Sequence, residues 1–308
     1  MIKCNLKLYS HIELFNNFVS LNLQEKLPLR ILLTGDEGIG KSTFALHFIN
    51  YLFSAKEMTK YDLLNHTINS SSISFNHVNN LSHPNFYLIK KNDDKKSIEV
   101  DQIRQMTVFL NKSTLNNDKK IILIDGVEHL SLSAANALLK NLEESNLQNL
   151  FILIHNNNKN IIDTIKSRCL SYRLNFNFSD IENIIEDYFG ENLYLKLSDD
   201  FKILSLSPNF IVNHINFFIE NKIDMNTYNV EDTIKFIINK KLYKTNYFIK
   251  NNFQIYIEIY FSKMYLNTKD NKYYSSFIEI VTETNLINKF NLDFESFIIK
   301  LENKYLKI

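Results

Sequence analysis

Apolar residues gather along this chain in two patterns, short unbroken runs and stripes at helical spacing. The runs are LRILLT (29–34), PNFYLIK (84–90), KIILI (120–124), LFILIH (150–155) and LSYRL (170–174). Of these, 29–34, 120–124 and 150–155 predict buried strands, 84–90 alternates like a strand after Pro84, and 170–174 is a fifth strand candidate. The stripes lie between them. FALHFINYLF (44–53) has helix-like spacing. SIEVDQIRQMTVFLN (97–111) puts Val100, Ile103, Met106 and Leu110 on one face, with Ser97 placed to cap it. SLSAANALLKNLEES (131–145) does the same with Leu132, Ala135, Leu138, Leu139 and Leu142. Residues 161–168 predict a short helix, whereas the polar, Asn- and Ser-containing stretch 54–82 predicts loop and weak helix. Strands alternating with helices predict an α/β domain whose mostly parallel sheet is covered on both faces.

The alternation stops near residue 175. Residues 179–221 predict three short helices, the third opening at Pro208, because proline is tolerated in a first turn. Residues 223–308 are rich in Ile, Phe and Tyr and predict helices throughout. Their aromatic residues at helical spacing suit a bundle core and subunit interface rather than a cofactor site.

Composition narrows the classes. The 308 residues carry a net charge of +1, so no global basic field marks a nucleic-acid binder; DNA contact needs a local patch or a complex. Two cysteines, Cys4 and Cys169, fall short of the about four ligands of a cysteine zinc site, and no zinc site is expected. No apolar run approaches the ~18 residues of a membrane span. The first residues, MIKCNLKLYSHIELF, mix Lys, His and Glu into the apolar positions, unlike a secretory signal. A cytoplasmic protein with no membrane partner is the expectation.

The chemistry concentrates in a few places. Gly35, Asp36, Glu37, Gly38, Ile39, Gly40, Lys41 and Ser42 match G-x-x-x-x-G-K-[ST] in full, between a predicted strand and a predicted helix, and Thr43 follows. Three of the chain's five glycines fall in this loop. Glycines let successive N–H groups wrap an anion, and the helix N-terminus adds partial positive charge. ATP and Mg2+ are the ligands such a loop is built for: Lys41 reaches the β- and γ-phosphates, and Ser42 ligates magnesium. The bland alternative is a glycine turn ahead of a helix. Asp125 ends a predicted strand; it is either the second magnesium carboxylate or half of an Asp-Gly turn. The residue after it is Gly126, which cannot act as a base, and Glu128 and His129 lie a turn further on, away from the expected γ-phosphate edge. His155 and Asn156 follow the fourth strand, as a phosphate sensor or as part of an Asn-rich loop. Arg168, one of four arginines, ends a short helix, as a phosphate-reading guanidinium or as a cation at a helix C-terminus. Arg104 is a candidate DNA-phosphate contact or a solvated helix residue.

Taken in order, LLTGDEGIGKST, HPNFYLI, IEVDQIRQM, IILIDGVEHL, SAANALLKNLEES and TIKSRC resemble the bacterial clamp-loader subunits of the AAA+ class, nearest the delta-prime type of DNA polymerase III. The resemblance covers residues 10–175. It implies an AAA+ phosphate-loop domain with a five-stranded parallel sheet over 1–175, a small helical lid over 176–222 and an all-α collar over 223–308. It implies loading of the sliding clamp onto primed DNA, in company with gamma/tau-type ATPase and delta-type subunits. Arg168 then becomes an arginine finger that reaches a neighbouring subunit's nucleotide.

The chain also departs from the pattern. ATPase subunits of that family carry Asp-Glu where Asp125-Gly126 stands, and a lid arginine where Phe210 stands. The prolines after LEE are replaced by Ser145-Asn146, and the family's zinc cysteines are missing from 54–82. Together these imply a subunit that does not hydrolyse ATP itself. The alternatives are an active AAA+ ATPase, as clamp-loader motor or another remodeller, and a phosphate-loop small-molecule kinase, against which the AANALLKNLEE helix and the SRC tripeptide argue.

Overall fold

The computed structural model describes residues 5–92, 95–113, 119–144, 149–157, 159–290 and 294–306. Cys4 and Ser145-Asn146 lie outside the described residues. The chain forms two compact units, Met1–Asp180 and Ile181–Ile308.

The first unit is built on five parallel strands: β1 Arg30–Gly35, β2 Phe86–Lys90, β3 Lys120–Asp125, β4 Asn149–Asn156 and β5 Leu170–Arg173, in the order β2-β3-β4-β1-β5. Residues alternate between two cores because successive strand side chains point to opposite faces. Ile31, Leu33, Ile121, Leu123, Ile152 and Ile154 face one side. Helices α1 (Ile12–Leu23) and α2 (Lys41–Ser54) supply Phe15, Phe18, Phe44 and Phe48 to that core. Leu32, Ile122, Ile124, Phe151 and Leu153 face the other side, against Ile103 and Met106 of α4 (Val100–Leu110) and Ala134, Ala135, Leu138 and Leu142 of α5 (Leu132–Glu144). Between α2 and β2 lies α3 (Ile73–Asn79), where the Glu57 carboxylate accepts from Ser72 Oγ at 2.8 Å and from the N–H groups of Ile73 and Ser74 at 3.1 and 2.8 Å.

Two expectations are corrected at helix starts. The cap of α4 is Glu99, not Ser97: the side chain of Gln102 accepts from the Glu99 N–H at 3.1 Å, and Ser97 Oγ donates to the Glu99 carboxylate at 2.9 Å. Leu132 is 71% exposed rather than part of the core face, because it opens the first turn of α5, and Ala134 takes the buried place. One core interaction has no trace in the apolar pattern. Lys120, at the start of β3, is buried, and its Nζ donates to the carbonyls of Phe109 and Leu110, both at 2.8 Å. It satisfies carbonyls that the end of α4 leaves without helical partners.

The second unit is helical: α7 (Ile181–Phe189), α8 (Leu193–Lys196), α9 (Pro208–Glu220), α10 (Val230–Asn239), α11 (Leu242–Thr245), α12 (Tyr247–Thr268), α13 (Asn271–Phe290) and α14 (Phe294–Leu301), with α6 (Asp163–Lys166) left to the first unit. Ser207 caps α9 by accepting from the Phe210 N–H at 3.3 Å, with Pro208 in the first turn as expected. Segments 181–222 and 223–308 share a core. Phe201, Phe210 and His214 pack round Tyr256, whose hydroxyl pairs with His214 Nδ1 at 2.9 Å, and Phe218 packs on Phe201 and His214. No helix among the described residues is long and apolar enough to cross a membrane.

Candidate nucleotide site

The carboxyl ends of the strands meet along one edge. Parallel register sets Lys90 beside Asp125 and Gly35 beside Asn156. In open α/β sheets ligands bind outside this edge, where strand order reverses; here β1 sits between β4 and β5 and feeds the phosphate loop. Gly40 has φ +94°, a conformation that costs an L side chain, so a glycine is required at the turn into α2.

The side chains of the loop already have partners. Lys41 is buried, and its Nζ donates to the Gly35 carbonyl at 2.9 Å and to the Asp36 carbonyl. Ser42 Oγ donates to Asp125 Oδ2 at 3.0 Å. Asn157 Nδ2 donates to Asp36 Oδ1 at 3.4 Å. His11, ahead of α1, donates from Nε2 to the Ile39 carbonyl at 2.9 Å and sets its ring edge-on to Phe44. It ties the N-terminal segment to the loop, and no motif announced it.

Electrostatics follow from burial and from the carboxylates nearby. Burial pulls the Lys41 ammonium below its usual range, opposed by Glu128, Asp125, Glu37 and Asp36. Burial pushes the Asp125 carboxyl up; the Ser42 hydrogen bond opposes this and the charge of Glu128 adds to it. Four carboxylates surround Lys41, and Lys90 acts on Asp125 from the neighbouring strand. Oxygen donors from Ser42 and Asp125 at one point suit a hard divalent cation such as Mg2+, and the positive-φ glycines suit an anion. The residues present therefore fit a magnesium–nucleoside triphosphate. Ser42 and Asp125 would hold the metal, and Lys41 with the loop N–H groups the phosphates.

Glu128 departs from expectation. The single turn Val127–His129 after Gly126 folds back beneath β4, and the Glu128 side chain is wholly buried. Its carboxylate accepts from the Asn156 N–H at 3.3 Å and Asn156 Nδ2 at 2.7 Å. It lies at the edge with Lys41 and Asp125, not away from it. Gly126 itself has φ +86°, and a Cβ there would meet His129 Cδ2 at 2.9 Å. The glycine after Asp125 thus sits on a backbone shaped for glycine.

Of the two sensor candidates, Asn156 is bonded to Glu128, while His155 is buried and donates from Nε2 to the Lys159 carbonyl at 2.8 Å. Arg104 lies on the outer face of α4, 72% exposed at its side chain and paired with Asp101 at 2.9 Å. Phe210 is buried against His214 in the second unit. Among the described residues no group of three or more His, Cys, Asp and Glu converges as metal ligands would.

Arg168 lies at the opposite edge. It precedes β5, whose Leu170 pairs with Ile31 near the start of β1, whereas Lys41 and Ser42 follow the end of β1. At about 3.3 Å per residue, the strand between them separates the two by roughly 13 Å or more. Arg168 Nε donates to Glu143 Oε1 at 2.7 Å, Nη2 pairs with the same carboxylate, and Nη1 donates to the Thr164 carbonyl at 2.9 Å. Burial pushes the neighbouring Cys169 thiol up to about 11, so it is not a reactive thiolate.

A complete phosphate loop after a central strand, an aspartate closing β3 onto its serine, and the order β2-β3-β4-β1-β5 define a phosphate-loop α/β domain of the AAA+ class. The family model described as "DNA polymerase III, delta subunit" matches residues 10–177, and the chain belongs to that family. Among its relatives is the DNA polymerase III subunit delta' of Pseudomonas aeruginosa, 34% identical over 89 residues, 29% of this chain and 27% of that one. The subunit of the same name from Buchnera aphidicola subsp. Schizaphis graminum is 32% identical over 165 residues, 53% of this chain and 48% of that one. The chain spans half or less of the length of the relatives it matches. A gamma subunit-related protein of DNA polymerase III from Thermotoga maritima aligns in structure over 74% of this chain and 66% of its own, at 18% identity and a TM-score of 0.42.

Proposed function

We propose that the chain is a delta-prime-like clamp-loader subunit that supports ATP-dependent loading of the sliding clamp onto primed DNA. In this reading it does not hydrolyse ATP. It assembles in the cytoplasm with gamma/tau-type ATPase and delta-type subunits, through a lid (176–222) and a collar (223–308), and lends Arg168 to a neighbour's nucleotide. The observation that carries the reading is the separation of two half-sites. The phosphate loop sits at the carboxyl edge of the sheet beside a glycine in place of a base, and Arg168 sits at the amino edge, out of reach of that loop. A guanidinium that cannot serve its own site is free to serve another, where it stabilises charge developing on transferred phosphate.

Magnesium, when bound, polarises the phosphate oxygens. The chain's own residues bind and orient: the loop amides and Lys41 grip the phosphates, Ser42 and Asp125 hold the metal, and Asn156 faces the edge on the arm of Glu128. Arg104 would meet DNA phosphate inside an assembled ring. One observation favours the alternative of an active ATPase, namely that the Glu128 carboxylate lies beside Lys41 and Asp125. That carboxylate, however, already accepts two hydrogen bonds from Asn156.

Two measurements test this. Steady-state ATP turnover of the isolated chain should be at background; turnover at the level of a clamp-loader motor, abolished by Lys41→Ala, sinks the non-hydrolysing reading. In a complex reconstituted with the ATPase subunit and the clamp, Arg168→Ala should lower ATP turnover by about 10³-fold or less while assembly is unchanged. Unchanged turnover refutes the finger.

A further inference from the structure

We propose that Glu143 is a positioning residue for Arg168, orienting its guanidinium for a phosphate on another subunit. The inference rests on the reading of Arg168 as a finger and goes beyond it.

The geometry is that of a splint. One edge of the guanidinium, Nε and Nη2, lies against the Glu143 carboxylate, and Nη1 is bonded to the Thr164 carbonyl one turn back. These contacts use three of the five N–H donors and leave two for an outside ligand. A free arginine side chain samples many rotamers; one held at two points keeps its fork in a single plane. Partial exposure, 34% for the Arg168 side chain and 50% for Glu143, keeps the end of the fork reachable.

The splint is itself anchored. Glu143 stands in the last turn of α5, where carbonyls lack helical partners. Leu142, next to it, is buried in the core, and its carbonyl accepts from Arg30 Nε on β1. Arg30 therefore ties the end of α5 to the central sheet, and Glu143 inherits that rigidity. Two of the chain's four arginines thus act on the last turn of one helix, Arg30 from inside and Arg168 from the rim.

Two roles are distinguishable for such a carboxylate. It orients the arginine, or it withholds it. An exposed pair in high dielectric attracts weakly and is screened by salt, too little to withhold a guanidinium from a polyphosphate carrying several charges. Orientation needs only the hydrogen bonds. The structure therefore favours a splint over a latch.

The test uses the full chain in the reconstituted complex, with magnesium–ATP as the probe and the neighbour's turnover as readout. Glu143→Ala should lower kcat about 3- to 30-fold, within the loss that misplacing a reacting group produces, with KM for ATP unchanged. Glu143→Gln, which keeps an acceptor oxygen, should restore most of the rate. The double variant Glu143→Ala/Arg168→Ala should be no slower than Arg168→Ala. Thermal unfolding of Glu143→Ala at the wild-type temperature separates the effect from misfolding. If Arg168→Ala slows the complex and Glu143→Ala leaves it at the wild-type rate, or speeds it, the positioning role is overturned and the finger stands. A further loss in the double variant also overturns it. If Arg168→Ala has no effect, the finger itself fails and this inference falls with it.

Discussion

Gly126→Ala is the most direct test of whether the backbone after Asp125 is shaped for glycine. At φ +86° an alanine stands in the left-handed region, which costs an L residue about 1–2 kcal/mol. The new methyl would lie 2.9 Å from His129 Cδ2, closer than real Cβ contacts allow. His129 is a partly exposed side chain on a short turn, so its ring can shift, at an added cost of less than about 1 kcal/mol. The sum is a loss of about 1–3 kcal/mol. For a unit the size of Met1–Asp180, with about 2–4 °C per kcal/mol, the melting temperature should fall by about 2–12 °C. Urea unfolding followed by circular dichroism reads the free energy, and calorimetry reads the shift. Adding His129→Ala should return the contact part and leave the φ part. Gly126→Glu should carry the same cost and confer no turnover, because a side chain leaving a left-handed backbone starts from the wrong direction. If Gly126→Ala is as stable as the wild type, the backbone there is not left-handed, and glycine is not required at that position.

Two further outcomes are expected. His47 is fully buried; its Nε2–H donates to the Asn5 carbonyl and its Nδ1 accepts from the Tyr61 hydroxyl, both at 2.9 Å, and burial lowers its pKa to about 4. The folded state thus binds the proton less readily than the unfolded chain, so stability from this site is full above about pH 6.5 and is lost as pH falls toward 4, by about 3 kcal/mol. His47→Gln should flatten that slope in urea titrations between pH 7 and 4, and an unchanged slope would assign it elsewhere. Magnesium–ATP should raise the melting temperature of the wild type, by up to about 2.7 kcal/mol of stability at a hundredfold excess over Kd, and should do nothing for Lys41→Ala. An equal shift in both proteins would remove Lys41 from the binding site, and no shift in the wild type would make the loop a structural element only.

Much of the first unit was legible in the order of residues. Five short runs became five strands; β1, β3 and β4 are buried and apolar almost throughout, as parallel strands covered on both faces need, while the edge strand β5 is largely exposed. The phosphate loop was legible for a different reason: its chemistry is local, and a contiguous stretch supplies both its glycines and its lysine. The helix faces were read well where periodicity governs, as at Ile103, Met106, Leu138 and Leu142, and poorly at their ends, as at Leu132, where a first turn points outward.

What only the tertiary structure decided were contacts between residues distant along the chain. Glu128 was expected off the edge, and a single turn of Val127–His129 brings its carboxylate under β4 to Asn156. His11 reaches the phosphate loop across 28 positions, and Arg30 reaches Leu142 across 112. Register alone places Arg168 at the edge opposite Lys41. The sequence by itself determined the class of domain, its loop and the glycine after Asp125, since each is written in neighbouring residues. It did not determine which edge each charge occupies or which partner each side chain takes, because strand order and burial set those, and both arise only when the whole sheet is assembled.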